Sequence, residues 1–420
     1  MNYQKPKGTA DILPINIAKW HFLENTLRNI CEKYNVNEIR TPIFEHTNLF
    51  LRAVGDTTDV VNKEMYTFND KKGRSITLRP EGTAGIVRAV VENKLYTNSN
   101  SVNKLYYMGP MFRYERPQNG RQRQFNQFGI ELFGNGSPYL DVECIAIADE
   151  ILQSFKINDC KLHINTLGDK ESREAYNNAL KKHFSKYIDD LCPDCKKRFN
   201  KNPLRILDCK IDKNHIAIKT APKTLDYLTS NAKEHFENVC NLLDALNIKY
   251  EIDVNLVRGL DYYNHTVFEF ISSNKKLGAG STIIGGGHYN GLVEELGGPS
   301  YPGVGFAIGM ERLLLALDEH KITNNLDIFV IDITNQSKKS VFKIVNDLRN
   351  LNYSVDMDFT GKSLKSQFKI ADRYNSILTI VVGDEELTNN TLNIKINATN
   401  ERCIISQNNI KDFLHSIFNK

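Results

Sequence analysis

The sequence has no run of eighteen or more apolar residues, so no transmembrane helix is expected. Its opening, "MNYQKPKGTADILP", lacks the apolar centre of a secretion signal, and a cytoplasmic protein without membrane association is the expectation. There is no internal repeat and no low-complexity tract. Neither sign of charge dominates: 54 basic and 50 acidic residues leave a net charge of +4. A nucleic-acid partner therefore has to be met by a local patch rather than by the chain as a whole. Cysteine is sparse, at eight in 420 residues, too few for a disulfide scaffold. Five of them (Cys31, Cys144, Cys160, Cys240 and Cys403) sit singly among apolar neighbours and read as small core residues.

What is present is ordinary for a globular chain, with 41% hydrophobic and 25% charged residues, and the length implies two or more domains. Ile17, Trp20, Leu23, Leu27, Ile30, Cys31 and Tyr34 recur at helical spacing. "VNEIRTP" reads as a strand stopped by Pro42. Residues 104–115 and 122–133 both look extended, and a Gly-containing loop between them predicts an antiparallel hairpin. In its second strand Phe125, Gln127, Gly129 and Glu131 face one way, and Asn126, Phe128, Ile130 and Leu132 the other. The polar face alone would suit a solvated sheet surface. Ser137-Pro138 opens another helix.

Residues 168–245, rich in lysine and asparagine and mainly helical in pattern, read as an insertion. Strands return at 249–257 and 265–272. A glycine run, "GGGHYNG", then leads to "GVGFAIGMERLLLALDEH", read as a buried helix entered through Gly303 and Gly305. Residues 320–327 are the expected linker. Beyond it, "DIFVIDI" and "SILTIVVG" alternate with helices at 336–350 and 361–374, which predicts a small α/β domain on a largely parallel sheet.

The densest chemistry is "FRYERPQNGRQRQF", residues 112–125, with four arginines and one acid around one turn. Guanidinium forks there suit polyphosphate, although a solvated hairpin with salt bridges would look the same. Three other stretches add to it. "LRPEGTAGIVRA" carries Arg79 and Glu81, "LVRGLDYYNHTVFEF" carries Arg258 and two tyrosines, and "GVGFAIGMERLLL" carries Arg312. Arginines entering apolar elements need a counter-charge, because a buried charge without its partner costs about 3–5 kcal/mol. Arg312 could find one in Glu311; several such arginines point instead to a shared anion.

Taken together, these stretches resemble the bacterial-type histidyl-tRNA synthetases, which are class II aminoacyl-tRNA synthetases. "EIRTPIFE" is similar to the first class II motif, "FRYERPQNGRQRQF" to the second and "GVGFAIGMERLLL" to the third. "RPEGTAG", "LVRGLDYYN" and "GGGHYNGLVEELGG" are similar to the elements specific to histidine. The resemblance implies an α+β catalytic domain on an antiparallel sheet over residues 1–325, with the helical insertion, and an α/β anticodon-binding domain over 327–420. It implies a homodimer that takes L-histidine, ATP with Mg²⁺, and tRNA(His), and forms a histidyl-adenylate.

Residue by residue, the resemblance puts Arg113 on the ATP α-phosphate and the histidine carboxylate. Phe125 lies against adenine, with Arg312 on the other face, and Glu115 meets the adenine amino group. Arg116, Gln118 and Arg123 are the candidates for the tRNA acceptor end. Glu81 and Thr83 hold the α-ammonium; Gln127, Glu131, Tyr263 and Tyr289 surround the imidazole, with Tyr262 completing the histidine set. Arg258 stands where other class II enzymes place a metal ion, against the α-phosphate and histidine. The chain departs from the family at Gly286-Gly287-His288-Tyr289-Asn290, where an arginine and an aspartate are usual in place of His288 and Asn290. Their joint replacement suggests a lost surface pair.

A different class remains open. A paralogue of this fold serves as a non-catalytic, histidine-sensing regulatory subunit of ATP phosphoribosyltransferase. Such a chain is expected to lose the catalytic arginines and the C-terminal domain. Cys192, Cys195 and Cys209 form a CxxC with a third cysteine, and His215 or Cys240 could complete a zinc set. A second CxxC is missing, reduced thiols are the expectation, and zinc is not. Lys362, Lys365, Lys369 and Arg373, at spacings of three, four and four, suggest one basic helical stripe facing RNA.

Overall fold

The computed structural model describes residues 3–55, 58–97, 102–278, 282–317, 325–334 and 338–418. Chain contacts divide it into two compact units, Met1–His320 and Lys321–Lys420. Most of the expected linker lies outside the described residues. Among the described residues no helix is long and apolar enough to cross a membrane.

The strands of the first unit, in chain order, are β1 (Asn37–Glu38), β2 (Phe44–His46), β3 (Tyr66–Asn69), β4 (Ser75–Leu78), β5 (Asn103–Phe112), β6 (Gln124–Phe133), β7 (Cys160–Thr166), β8 (Tyr250–Ile252), β9 (Asn264–Ser272), β10 (Thr282–Tyr289) and β11 (Gly303–Gly309). Eight of them form one sheet in the order β1-β5-β6-β11-β10-β9-β7-β8, antiparallel except where β1 meets β5 and β7 meets β8. The hairpin read from sequence is β5–β6, paired from Asn103↔Phe133 to Phe112↔Gln124. A small sheet, β2-β4-β3, stands apart from the large one.

Period-two alternation gives the large sheet two unlike faces. Phe128, Ile130 and Leu132 of β6, with Val304, Phe306 and Ile308 of β11 and Phe268 and Phe270 of β9, pack in one buried cluster. Helices Pro14–Lys33, Pro138–Ser154 and Ser230–Ala245 cover that face through residues such as Leu27, Ile145 and Val239. Each large apolar side chain removed from water there contributes about 1.5–3 kcal/mol. The other face holds Gln127 and Glu131, at 7% and 1% exposure. It is a buried polar face, not a solvated one.

Two readings change. Residues 303–309 are a strand and only Met310–Ala316 is helical. The stretch sits between β6 and β10 and pairs with both, and its Val304, Phe306 and Ile308 alternate as a strand's do before "MERLLL" turns helical. The strand expected over 36–42 keeps only Asn37–Glu38.

The second unit has strands β12 (Ile328–Asp332), β13 (Val355–Met357), β14 (Leu378–Val382), β15 (Thr391–Ile396) and β16 (Arg402–Ser406), in the order β13-β12-β14-β15-β16. β12 is parallel to both neighbours, whereas β15 and β16 add antiparallel, so the sheet is mixed rather than largely parallel. Helix Ile410–Phe418 buries Leu414 against it.

Candidate active site

The polar face of the large sheet is the floor of a cavity of about 610 Å³. Across the strands, Glu269, Gly285, Ala307, Gly129 and Tyr107 stand in one row of register partners. Small residues in the middle of that row leave space that larger side chains reach into. A Cβ on Gly285 would lie 2.4 Å from an Arg258 nitrogen, and one on Gly305 would lie 2.0 Å from Glu131 Oε2. Gly305, read from sequence as part of a helix entrance, and Gly285 of the glycine run are the gaps that admit these side chains.

At one end, Glu81 accepts from the backbone N–H groups of Thr83 and Ala84, both at 2.8 Å, at the start of helix Thr83–Glu92. Burial raises its pKa, and those two N–H groups work against the rise. Thr83 Oγ1 donates to Glu131 at 2.6 Å, and the Tyr289 hydroxyl donates to the other Glu131 oxygen at 2.6 Å. Burial pushes Glu131 up to about 8. Gln127 Oε1 accepts from Gly82 N–H and from the Tyr107 hydroxyl, at 3.2 and 3.1 Å. Tyr107 was not picked out by sequence; its signal was a tyrosine on the inward face of the first hairpin strand, opposite Gly129.

At the other end are the cations. Arg113 donates from Nε to the Pro80 carbonyl at 2.7 Å and lies 5.5 Å from the Phe125 ring centre. Arg258 is ion-paired with Glu269, and its guanidinium lies 5.7 Å from the Tyr263 ring centre. Burial disfavours its charge, but Glu269 outweighs that and raises its pKa. For Arg312 burial and the nearby Arg121 lower the pKa, and Glu115 and Glu269 offset only part of that. Its Nε and Nη2, together with Arg258 Nε, are buried with no hydrogen-bond partner. Glu311 does not pair with it, because both its oxygens accept from the Asn126 backbone N–H.

The cavity wall thus brings together Glu81, Thr83, Arg113, Glu115, Phe125, Gln127, Arg258, Tyr262, Tyr263 and Arg312. Glu131 and Tyr289 lie one layer behind it, reached through Thr83. Arg79 does not join the other arginines: it is spent on the carbonyls of Pro110 and Thr41. Arg116 and Gln118 are exposed on the hairpin turn. Arg123 is not at the tip; its guanidinium covers the Tyr114 ring at 3.8 Å, and its backbone N–H donates to Gly8 O.

A polar-walled cavity with carboxylates at one end and unsatisfied guanidinium groups at the other suits a small zwitterion joined to a polyphosphate. A profile of the family described as "Histidyl-tRNA synthetase" matches residues 8–313, and one described as "Anticodon binding domain" matches residues 327–417. The chain belongs to the histidyl-tRNA synthetase family. Its large sheet is the class II catalytic fold, and the second unit is the anticodon-binding domain. It is similar to the histidine–tRNA ligase of Oceanobacillus iheyensis, at 49% identity over 423 residues, covering 100% of this chain and 99% of the relative. It is similar to the crystal structure of apo S. aureus histidyl-tRNA synthetase, with a TM-score of 0.85, 44% identity and coverage of 98% and 100%. A Bacillus halodurans structure titled as an ATP phosphoribosyltransferase regulatory subunit/histidyl-tRNA synthetase shares the fold at 19% identity and a TM-score of 0.65, covering 91% of this chain and 99% of that one.

Against the pattern usual in histidyl-tRNA synthetases, the replacement at His288 and Asn290 is not a lost surface pair. His288 is 1% exposed and donates from Nδ1 to Asp141 at 2.6 Å, while Nε2 faces Asn290 Oδ1 at 2.8 Å. With the Asn290 amide oxygen turned toward it, this arrangement favours the doubly protonated ring. Burial works against that charge, but Asp141 outweighs it and raises the His288 pKa.

In the insertion, neither His215 nor Cys240 stands with the cysteines. His215 Nδ1 accepts from the Ala217 backbone N–H, and Cys240 belongs to helix Ser230–Ala245. The acid that joins Cys192, Cys195 and Cys209 is Asp212. In the second unit, helix Leu364–Arg373 carries Lys365, Lys369 and Arg373, all exposed, but Lys362 precedes the helix, its N–H bound by Asp358. The stripe is one residue shorter than its spacing suggested.

Proposed function

We propose that the chain attaches L-histidine to tRNA(His) in two steps within this cavity. The carboxylate oxygen of histidine attacks the α-phosphorus of ATP, the bond to the bridging oxygen breaks, and diphosphate leaves. A terminal ribose hydroxyl of the tRNA then attacks the acyl carbon of the histidyl-adenylate, and AMP leaves. The observation that carries this reading is the set of buried guanidinium N–H groups without partners, on Arg258 and Arg312, in the cavity that also holds Arg113. Fixed donors aimed where phosphate charge grows lower the barrier without reorganisation.

In this reading Arg113 and Arg258 bridge the α-phosphate and the histidine carboxylate, and both are catalytic residues. Phe125 and Arg312 sandwich adenine, and Glu115 accepts from its amino group. Glu81 and Thr83 receive the α-ammonium. Gln127, Tyr262 and Tyr263 line the imidazole, and Glu131, with Tyr289 behind it, accepts its N–H. A ring that offers one donor and one acceptor satisfies this polar set, which rejects isosteres that cannot. Glu269 and Glu311 are hard oxygen donors on the cavity wall, the kind Mg²⁺ takes beside substrate phosphates. When bound, that ion neutralises charge on the outer phosphates.

Arg116, Gln118 and Arg123 are assigned to the acceptor end, and Lys365, Lys369 and Arg373 to the anticodon stem-loop, with the catalytic part spanning 1–325 and the anticodon part 327–420. We assign a homodimer through the first class II motif, supported by the exposure of Ile43 (44%) and Phe44 (56%) beside the small sheet. The cytoplasm is the assigned compartment. Retention of all three arginines and of the second unit favours the ligase over the regulatory subunit.

The test is histidine-dependent exchange of diphosphate into ATP. Arg258→Ala should lower kcat about 10²–10³-fold with a smaller change in KM for histidine. Exchange at near wild-type kcat would refute the assignment. Deleting 327–420 should spare exchange but raise KM for tRNA in aminoacylation; an unchanged KM would remove the anticodon role.

A further inference from the structure

We propose that Cys192, Cys195, Cys209 and Asp212 form a structural zinc site in the insertion. Their ligand atoms all lie within 4.8 Å of one another. Cys192 Sγ is 3.7 Å from Cys209 Sγ, and Cys209 Sγ is 3.6 Å from Asp212 Oδ2. With Zn–S at about 2.3 Å and Zn–O at about 2.0 Å, a tetrahedron has edges of about 3.8 Å between sulfurs and about 3.5 Å from sulfur to oxygen. These two edges, Cys192–Cys209 and Cys209–Asp212, match. They are far from a disulfide, whose sulfurs are bonded at about 2.0 Å, and all eight cysteines are free. The ligands also stand too close together to surround a cluster of several irons.

The local backbone is built for such a knot. Cys192 caps helix Pro193–Lys201, and Cys195 falls within its first turn. The Asp212 backbone N–H points at Cys209 Sγ at 3.4 Å, and the Cys192 N–H donates to Asp212 Oδ2 at 3.0 Å. Cys195 and Cys209 are 0% and 4% exposed and Asp212 9%, so water is largely excluded. Residues 192–213 carry seven basic side chains against three acidic ones, which offsets the negative charge of three thiolates and a carboxylate around one dication. Binding balances as one Zn²⁺ and one carboxylate displacing three thiol protons.

The contrast with the other buried cluster of ligand-type residues is chemical. Asp141 already accepts from His235, His288 and the Thr266 hydroxyl, so its oxygens are occupied. Between the side chains of the three cysteines and Asp212 the contacts are those of weak S–H donors, with one backbone N–H each on Asp212 Oδ2 and Cys209 Sγ. The insertion also needs a staple, since its own core is one small cluster around Tyr176, Phe184 and Ile206.

The knot faces the cavity: Cys192, Cys209 and Lys210 lie on its wall beside Arg205. Arg205 Nη1 donates to the Arg258 carbonyl at 3.0 Å, and Arg198 holds the Arg205 carbonyl at 3.1 Å. A metal closing residues 192–212 would therefore fix the hairpin that carries Arg205, making Arg205 a positioning residue for Arg258.

The test is metal content of the full-length protein purified under reducing conditions without chelator. About one zinc per chain is expected, retained in Cys240→Ser and lost in Cys195→Ser and Cys209→Ser. Because those variants can misfold, the wild-type chain is also stripped and reloaded with Co²⁺. Absorption of a tetrahedral ion with sulfur-to-metal charge transfer is expected, its visible bands shifted in Asp212→Asn. Less than about 0.1 zinc per chain in protein active in diphosphate exchange, a stoichiometric metal other than zinc, an octahedral cobalt spectrum, or a Cys192–Cys209 disulfide in the protein as isolated would each overturn the assignment.

Discussion

Glu131 and Asp141 are interior acids of the same unit, 1% and 0% exposed, and their surroundings push them in opposite directions. Glu131 meets only neutral hydroxyls, from Thr83 and Tyr289, and burial drives its pKa up to about 8. Asp141 meets two imidazoles and a hydroxyl; burial acts on it too, but His288 and His235 hold its pKa below the usual carboxylate range. Close by, His265 is pushed down to about 4 by burial and by the other two rings. The difference separates a finished knot from an unfinished site. Asp141 has imidazole partners within the protein, whereas Glu131 has none; in the function proposed above, the N–H of histidine is what completes it.

The largest effect expected from breaking this contrast is at the finished knot. Asp141→Asn leaves His288 without a counter-charge and should lower stability by about 3–5 kcal/mol, read as a fall in Tm. The folded fraction should keep its KM for histidine. A raised KM with unchanged Tm would exchange the roles of the two acids.

Next in size is Glu131→Ala, which removes the charged acceptor. A hydrogen bond to a charged group contributes roughly 1.5–3 kcal/mol, so KM for histidine should rise about tenfold to a hundredfold. Steady-state exchange across histidine concentrations measures it, and an unchanged KM would place the imidazole elsewhere.

The smallest effect sharpens the contrast through pH. A carboxyl whose pKa is raised in the folded state contributes stability that is complete below its unfolded value near 4.5 and is lost as pH rises through about 8. Glu131→Gln cannot ionise. Its Tm relative to wild type, without histidine, should therefore climb between about pH 5 and pH 8 and level off above that. A flat difference would mean that Glu131 is already charged in the empty protein.

Much of the frame was legible in the sequence. The hairpin β5–β6, its two faces and the helix over 14–33 follow from periods of 2.0 and 3.6 residues, because both are local signals. Residues 303–309 misled although Val304, Phe306 and Ile308 alternate with small residues as a strand should, because the stretch runs without a break into the helical "MERLLL" and glycines blur its small face. The site arginines at 113, 258 and 312 were visible as charges in apolar surroundings, and Arg79 shared that appearance while serving only carbonyls. Asp212 was invisible because spacing identifies cysteines in pairs but cannot say which of several acids folds back onto them. The burial of His288 was hidden because its partner Asp141 lies 147 positions away.

The gaps at Gly285 and Gly305 give this site two different kinds of fragility. A methyl group at 285 would press on the free end of a flexible guanidinium, which can swing aside. The fold would survive and Arg258 would be displaced, so the lesion would show in turnover and not in melting. A methyl group at 305 would meet the backbone carbonyl of Ile130 at 2.5 Å as well as Glu131, and a central strand cannot swing aside. Substitutions at these two positions would thus divide into an impaired but well-folded form and an unstable one, although neither glycine has a side chain with which to touch a substrate.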